Sequence, residues 1–264
     1  MKKFGFVGAG KMAGAIVRGM LDSIGAENIA CVCGDDNTGR ELSEQTGIAL
    51  AASHAELFGN SQTVVLACKP QQLAEVAKTA DSANFPLLIS ILAGTNLSRL
   101  RQCFKGVGNI VRVMPNMPAQ ISQGISCYAS EKPLSETDKK TVESVLSAIG
   151  EFMEVPEAKL DAVTALSGSG PGYLFEFAAA MIEGALKLGF TRDEAKKLVE
   201  KTLLGSAMLL TKSSLSADEL CKAVSSPGGT TLAALNVFAK NNFREMVENA
   251  LVAARDRSAE LSKF

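Results

Sequence analysis

Residues 3–18, KFGFVGAGKMAGAIVR, decide the fold. Phe4, Phe6 and Val7 read as a short buried strand. Gly8-Ala9-Gly10-Lys11-Met12-Ala13 is a G-x-G-x-x-A turn, and Ala13, Ala15, Ile16 and Val17 open a helix. Strand, glycine turn and helix in that order are what a dinucleotide site needs. Gly8 makes the tight turn, Gly10 lets backbone approach a pyrophosphate, and Ala13 permits close helix–sheet packing. The unpaired N–H groups of the helix start face the phosphates. Glycines alone also make ordinary loops. The strand before them and the helix after them set this turn apart.

The next stretches extend the same pattern. A second strand is predicted over 28–33, ending in the turn Gly34-Asp35-Asp36-Asn37. An acidic residue at that place holds the ribose hydroxyls of NAD in such folds. Asp35 and Asp36 stand there, although both also suit a turn or a helix cap. Arg40, one turn later, is the alternative partner for the 2′-phosphate of NADP, so either cofactor fits this reading. QTVVLAC at 62–68 is a continuous apolar run, as in a parallel sheet covered on both faces. Lys69-Pro70 ends it at the carboxyl edge, where ligands of such sheets bind. Further strands are predicted at 87–92, 109–114, 124–128 and 152–155. Helices are predicted at 71–80 and 95–104, and a third is capped by Ser135 and runs to 149. The alternation predicts an α/β domain, a doubly wound parallel sheet, over 1–155.

From Pro156 the strand pattern stops, and 156–264 reads as all-helical. A helix over 159–167 is broken by Ser167-Gly168-Ser169-Gly170, with Pro171 at the first position of the next helix. Residues 172–188 are apolar nearly all round, with Glu176, Glu183 and Lys187 as their charges. A helix with so little polar face is buried against helices of its own chain or of a partner. Thr191 with Glu194, and Ser216 with Glu219, form capping boxes for helices running to 210 and 224. After Ser225-Ser226-Pro227-Gly228-Gly229 come helices over 230–239 and 242–262. Glycines just before a helix that begins Thr230-Thr231 make an anion site suited to a carboxylate. The hydroxyls of Ser226, Thr230 and Thr231 are placed to orient a neighbouring polar atom.

The chain has 264 residues with a net charge of -1. That length suits two domains, and the charge argues against a nucleic-acid footprint. No uncharged apolar stretch is long enough to cross a membrane. Met1-Lys2-Lys3 leads straight into the first strand, so no signal peptide is expected and the predicted location is cytoplasmic. The six cysteines form no C-x-x-C pair and read as reduced thiols. His54 is the single histidine, and no metal motif is present. There is no Ser-His-Asp set, no Cys-His pair and no paired carboxylates. Hydride transfer needs little acid–base help when a cofactor carries the chemistry.

Five blocks together resemble the pyrroline-5-carboxylate reductases. They are residues 8–13, Cys68-Lys69-Pro70, Met114-Pro115-Asn116-Met117-Pro118, ALSGSGP at 165–171 and SSPGGTT at 225–231. The resemblance runs the whole chain in order. It implies reduction of 1-pyrroline-5-carboxylate to L-proline with NAD(P)H, the last step of proline biosynthesis. It also implies an N-terminal Rossmann domain and a C-terminal helical dimerisation domain, as a homodimer or a ring of dimers. By resemblance, Gly8, Ala9, Gly10, Lys11 and Met12 line the pyrophosphate. Ala67, Cys68, Lys69 and Pro70 border the cofactor, Asn116 lies near the nicotinamide ribose, and Asp35 and His54 stand on the adenosine side. Ser226, Gly228, Gly229 and Thr230 bind the substrate carboxylate, and Thr231 its ring nitrogen. Two departures bear on the cofactor, NADP(H) with NAD(H) as the alternative. Many relatives carry Asn-Arg or Ser-Ser where this chain has Gly34-Asp35-Asp36, and His54 replaces an asparagine. A β-hydroxyacid dehydrogenase would carry a G-x-x-x-N-x-x-K helix, which 168–189 does not offer. A non-catalytic NAD(P) sensor would have no use for the 225–231 anion site.

Overall fold

The computed structural model describes residues 1–34, 36–80 and 84–262. Its contacts form two compact units, Met1–Ser169 with Ala253–Phe264, and Gly170–Val252. The first unit is built on eight strands. In chain order they are β1 (Lys2–Val7), β2 (Ile29–Val32), β3 (Ala49–Leu50), β4 (Ser61–Leu66), β5 (Leu87–Ser90), β6 (Asn109–Met114), β7 (Gly124–Ser130) and β8 (Gly150–Glu154). They lie in the order β3-β2-β1-β4-β5-β6-β7-β8. The chain leaves β1 toward β2 and β3, then returns to β4 on the other side of β1. That reversal is the topological switch point of a doubly wound sheet.

Alternate strand residues feed two cores, because successive side chains point to opposite faces. Phe4, Phe6, Val65, Ile89, Val111 and Val113 face one side. There they meet Ala13, Ile16, Val17 and Met20 of α1 (Lys11–Ile24), Leu42 of α2 (Thr38–Thr46) and Val142, Val145 and Leu146 of α6 (Glu136–Ser147). Val7, Val64, Leu66, Leu88 and Ile110 face the other side. They meet Leu57 and Phe58 of α3 (His54–Gly59), Leu73 and Val76 of α4 (Leu73–Lys78), and Leu97 and Leu100 of α5 (Leu97–Cys103). Each fully buried Leu or Phe of this kind contributes about 1.5–3 kcal/mol.

Three sequence expectations are corrected. The sheet is not wholly parallel: β7 runs antiparallel to β6, with Val113 opposite Tyr128. The link 115–123 is shorter than the roughly dozen residues that a parallel crossover needs. In 38–60 the fold contains α2, β3 and α3, none of which was read from sequence. β3 has two residues, and α2 buries only Gly39 and Leu42, so neither gives a strong period. Finally, the interruption expected over 167–170 is a single bend at Ser169, and the turn before it is π-helical. The backbone runs from α7 (Leu160–Val163) through a π-helical segment, Thr164–Gly168, into α8 (Gly170–Lys187). Ser169 N–H donates to Thr164 O at 2.8 Å, a bond one residue longer than an α-helix uses. The hydroxyls of Thr164 and Ser167 donate back to Leu160 O and Val163 O, so they do not compete with the helix.

The second unit comprises α8, α9 (Arg192–Lys212), α10 (Ala217–Ala223), α11 (Thr230–Lys240) and the first half of α12 (Phe243–Leu261). Both expected capping boxes form: Thr191 pairs with Glu194, and Ser216 with Glu219. Among the described residues 170–252, only Ala195 and Val199 are buried.

Candidate active site

The glycine turn is locked onto the switch point. Gly8 has φ +97°, a left-handed conformation that disfavours side chains. A β-carbon there would stand 2.7 Å from Ala67 O, at the end of β4. Gly8 N–H donates to Val32 O at 2.8 Å, and Ala67 N–H to Val7 O at 2.8 Å. One turn thus joins the carboxyl ends of β1, β2 and β4. Gly10 is the N-cap of α1, in extended conformation and with no side-chain cap. Nothing lies within 4 Å of a β-carbon placed on it. Ala9 and Ala13 are buried, Gly10 and Lys11 are exposed, and Met12 is half-buried. The uncapped N–H groups of the first turn and the open face at Gly10 fit a pyrophosphate.

Neighbouring loops flank this turn. Lys69 N–H donates to Gln72 Oε1 at 3.0 Å, which folds 69–72 into a short turn. Gln72 Nε2 comes within 3.8 Å of a β-carbon built on Gly34, at the end of β2. Asp36 accepts from Thr38 Oγ1 at 2.5 Å and from Thr38 N–H at 3.2 Å. Those bonds, with the nearby Lys69, hold its carboxyl below the usual range. Asp36 therefore serves the start of α2. Asp35 lies outside the described residues. Burial pushes the Cys68 thiol up to about 11, so it stays protonated. The glycine turn and the strand end at Ala67 and Cys68 are thus brought together.

His54 is the first residue of α3. Its ring stacks on Phe58 at 6.3 Å, and partial burial lowers its pKa against the opposing charge of Glu75. Asn116 follows β6, and its Oδ1 accepts from Ile125 N–H at 3.0 Å, pinning the reversal into β7. Beside these loops, between α4 and α5, a cavity of about 650 Å³ is lined by Pro70, Ala93, Gly94, Thr95 and Arg99. It borders the carboxyl edge but does not include the glycine turn.

In the second unit, Ser226, Gly228, Gly229, Thr230 and Thr231 share one loop. Gly228 has φ +73°. Gly229 N–H donates to Ser226 O at 2.9 Å, and a β-carbon on Gly229 would meet Ser226 Oγ at 2.5 Å. Gly229 is the extended N-cap of α11 and, like Gly10, gives no side-chain cap. Thr230 is exposed and Thr231 half-buried.

A family model for pyrroline-5-carboxylate reductase dimerisation matches residues 157–261. A second model, described as NADP oxidoreductase, coenzyme F420-dependent, matches residues 3–94. The pyrroline-5-carboxylate reductase of Methanosarcina acetivorans is 35% identical over 99% of this chain and 98% of its own length. The chain belongs to the pyrroline-5-carboxylate reductase family. It is an NAD(P)H-dependent oxidoreductase of proline biosynthesis. The Coxiella burnetii pyrroline-5-carboxylate reductase superposes with a TM-score of 0.90 at 31% identity, over 100% of this chain and 99% of that one. The Plasmodium falciparum pyrroline carboxylate reductase, solved with NADP bound, gives 0.86 at 32% identity, over 99% and 98%. As in other pyrroline-5-carboxylate reductases, an α/β sheet precedes a helical dimerisation domain.

One feature of the reductase escaped the sequence reading. Arg112 in β6 is buried, between Glu157 and Asp161. Its signal was a lone charge inside the apolar strand run NIVRVM.

Proposed function

We propose that reduction of the C=N bond of 1-pyrroline-5-carboxylate to L-proline runs between two anion-binding helix starts. One is α1 for the cofactor and the other is α11 for the substrate. The observation that carries this reading is the choice of caps. Helices α3, α5, α6, α9 and α10 open on Ser, Asn or Thr side chains bonded to their first turn. Helices α1 and α11 open instead on the bare glycines Gly10 and Gly229. Their free N–H groups and positive ends attract an anion.

In this reading Gly8, Ala9, Gly10, Lys11 and Met12 hold the pyrophosphate of NADP(H), with NAD(H) as the alternative. Ala67, Cys68, Lys69 and Pro70 border the cofactor. Asn116 reaches the nicotinamide ribose, and Asp35 and His54 belong to the adenosine side. When bound, the reduced nicotinamide supplies the hydride. Ser226, Gly228, Gly229 and Thr230 hold the substrate carboxylate. The Thr231 hydroxyl bonds the ring nitrogen, which orients the C=N carbon and leaves the proton on that nitrogen. A protonated imine already attracts hydride, so no separate acid is required.

The part that binds dinucleotide is 1–155, and 156–264 dimerises and binds substrate. The chain works as a homodimer, alone or in a ring of dimers, in the cytoplasm, without nucleic-acid or membrane partners. No helix among the described residues is long and apolar enough to cross a membrane. The site is completed across the dimer, with the cofactor turn of one protomer serving the substrate loop of its partner. The test is subunit exchange between Gly10→Val and Thr231→Ala proteins. Thr231→Ala should lower kcat by roughly ten- to a hundredfold, the loss of one hydrogen bond to a charged group. Mixing should restore activity, since each mixed dimer holds one intact site. Confirmed exchange without recovery would mean that each chain supplies both halves.

A further inference from the structure

The buried Arg112 belongs to none of the roles above, yet its partners converge on the carboxyl edge. It lies on β6 two residues before Met114, so both side chains face the same side of the sheet. Nη1 reaches Glu157 Oε1 and Nη2 reaches Asp161 Oδ1, each at 3.4 Å. Each carboxylate has a second duty. Glu157 Oε1 accepts the backbone N–H of Leu97 at 2.7 Å, which fixes the start of α5 just after the 93–96 loop. Asp161 Oδ1 accepts Ser258 Oγ at 2.8 Å, which fixes the end of α12. That end in turn braces the same loop. Asn96 Nδ2 donates to Ser262 O at 3.3 Å, and a β-carbon on Gly94 would lie 3.1 Å from Leu261 Cβ. Further along the Asp161 helix, a β-carbon on Gly168 would overlap Met114 Cε, so the π-helical segment presses on the end of β6.

The geometry points to Arg112 as a positioning residue for the reaction. Through Glu157 and Asp161 it holds the loop after β5 in register with the end of β6, where Asn116 is read as reaching the nicotinamide ribose. The adenosine half is held independently, by Gly8 N–H to Val32 O and by Ala67 N–H to Val7 O. A buried guanidinium suits this task because its planar fork binds two carboxylates at once and stays charged. The inference rests on the reading that Asn116, just after β6, reaches the nicotinamide ribose.

Four variants test it: Arg112→Met, Arg112→Lys, Glu157→Gln and Asn116→Asp. NADPH affinity is read by fluorescence titration, kcat and KM by steady-state kinetics, and folding by thermal melting. Arg112→Met should keep NADPH affinity within about twofold while kcat falls on the order of ten- to a hundredfold, as for a small misplacement of reacting groups. Arg112→Lys should recover part of that loss. An unchanged kcat in folded Arg112→Met overturns the proposal, as does a parallel fall of affinity, kcat and melting temperature. Should Arg112→Met not fold, Glu157→Gln serves in its place. It keeps an oxygen for Leu97 N–H and removes one of the two charges facing Arg112, and here too an unchanged kcat overturns the proposal. Asn116→Asp keeps the oxygen used by Ile125 and removes the amide donor. A loss there with none at Arg112 sinks the positioning role alone. No loss there sinks the reading of the edge, and the positioning role with it.

Discussion

The two units solve the burial problem differently. In the sheet unit, every residue of β2 and β5 is buried, and two continuous cores cover both faces. In 170–252, Leu174 and Phe175 are each 60% exposed, and Leu204, Met208, Leu209, Val237 and Met246 are exposed as well. So much apolar surface on one stretch marks an interface rather than a finished core. The sheet unit is satisfied by its own chain, whereas the helical unit awaits a second one. This is the physical content of a dimerisation domain, and isologous pairing is the commonest way to supply it.

The contrast can be broken most forcefully at α8. Replacing Leu174 and Phe175 together by Asp should abolish dimerisation and with it nearly all activity, because charges would be buried without partners. Sedimentation would show the mass of a single chain. A stable, active dimer would mean that the exposed face has another use. The sheet unit should answer differently. Leu88→Ala should cost about 2–5 kcal/mol through the lost packing and the cavity left. Its cost should not change with protein concentration in urea titrations, since Leu88 packs wholly within one chain.

The smallest effect sharpens the comparison at the edge of the sheet unit. Arg101 binds Glu131 through Nε at 2.8 Å and also donates to Val107 O at 2.7 Å. The guanidinium holds the Glu131 carboxyl below the usual range. A folded pKa below the unfolded one stabilises at pH above the unfolded value, and that stability fades as pH falls through the folded value. Glu131→Gln should therefore cost about 1 kcal/mol near neutrality, the scale of a half-exposed pair. The cost should shrink toward zero in acid, as urea midpoints across pH would show. A cost that persists in acid would place the contribution in packing rather than charge.

Much of the site was legible in the sequence because it is local. The turn at 8–13, the loop at 225–231 and the capping boxes at Thr191 and Ser216 each depend on residues only a few positions apart. The strand at 62–68 was legible because a doubly covered sheet demands apolar runs, and that at 109–114 because its run is apolar apart from Asn109 and Arg112. The elements over 38–60 were not legible, because short polar elements carry little period of their own. The Ser-Gly run at 167–170 marks a bend at Ser169, and only the hydrogen-bond pattern shows that the turn before it is π-helical.

By itself, the sequence determined the dinucleotide turn, the bare glycine starts of α1 and α11 and the division into sheet and helices. Each follows from backbone freedom, capping or hydrophobic period within a short window. Tertiary structure alone decided the reversed direction of β7, the meeting of Gly34 with Gln72 and the partners of Arg112, which lie 45 and 49 residues away in the chain. No local rule chooses among distant carboxylates. The packing of α7 and the turn before it onto β7 brings these two within reach, and burial of the guanidinium then requires them.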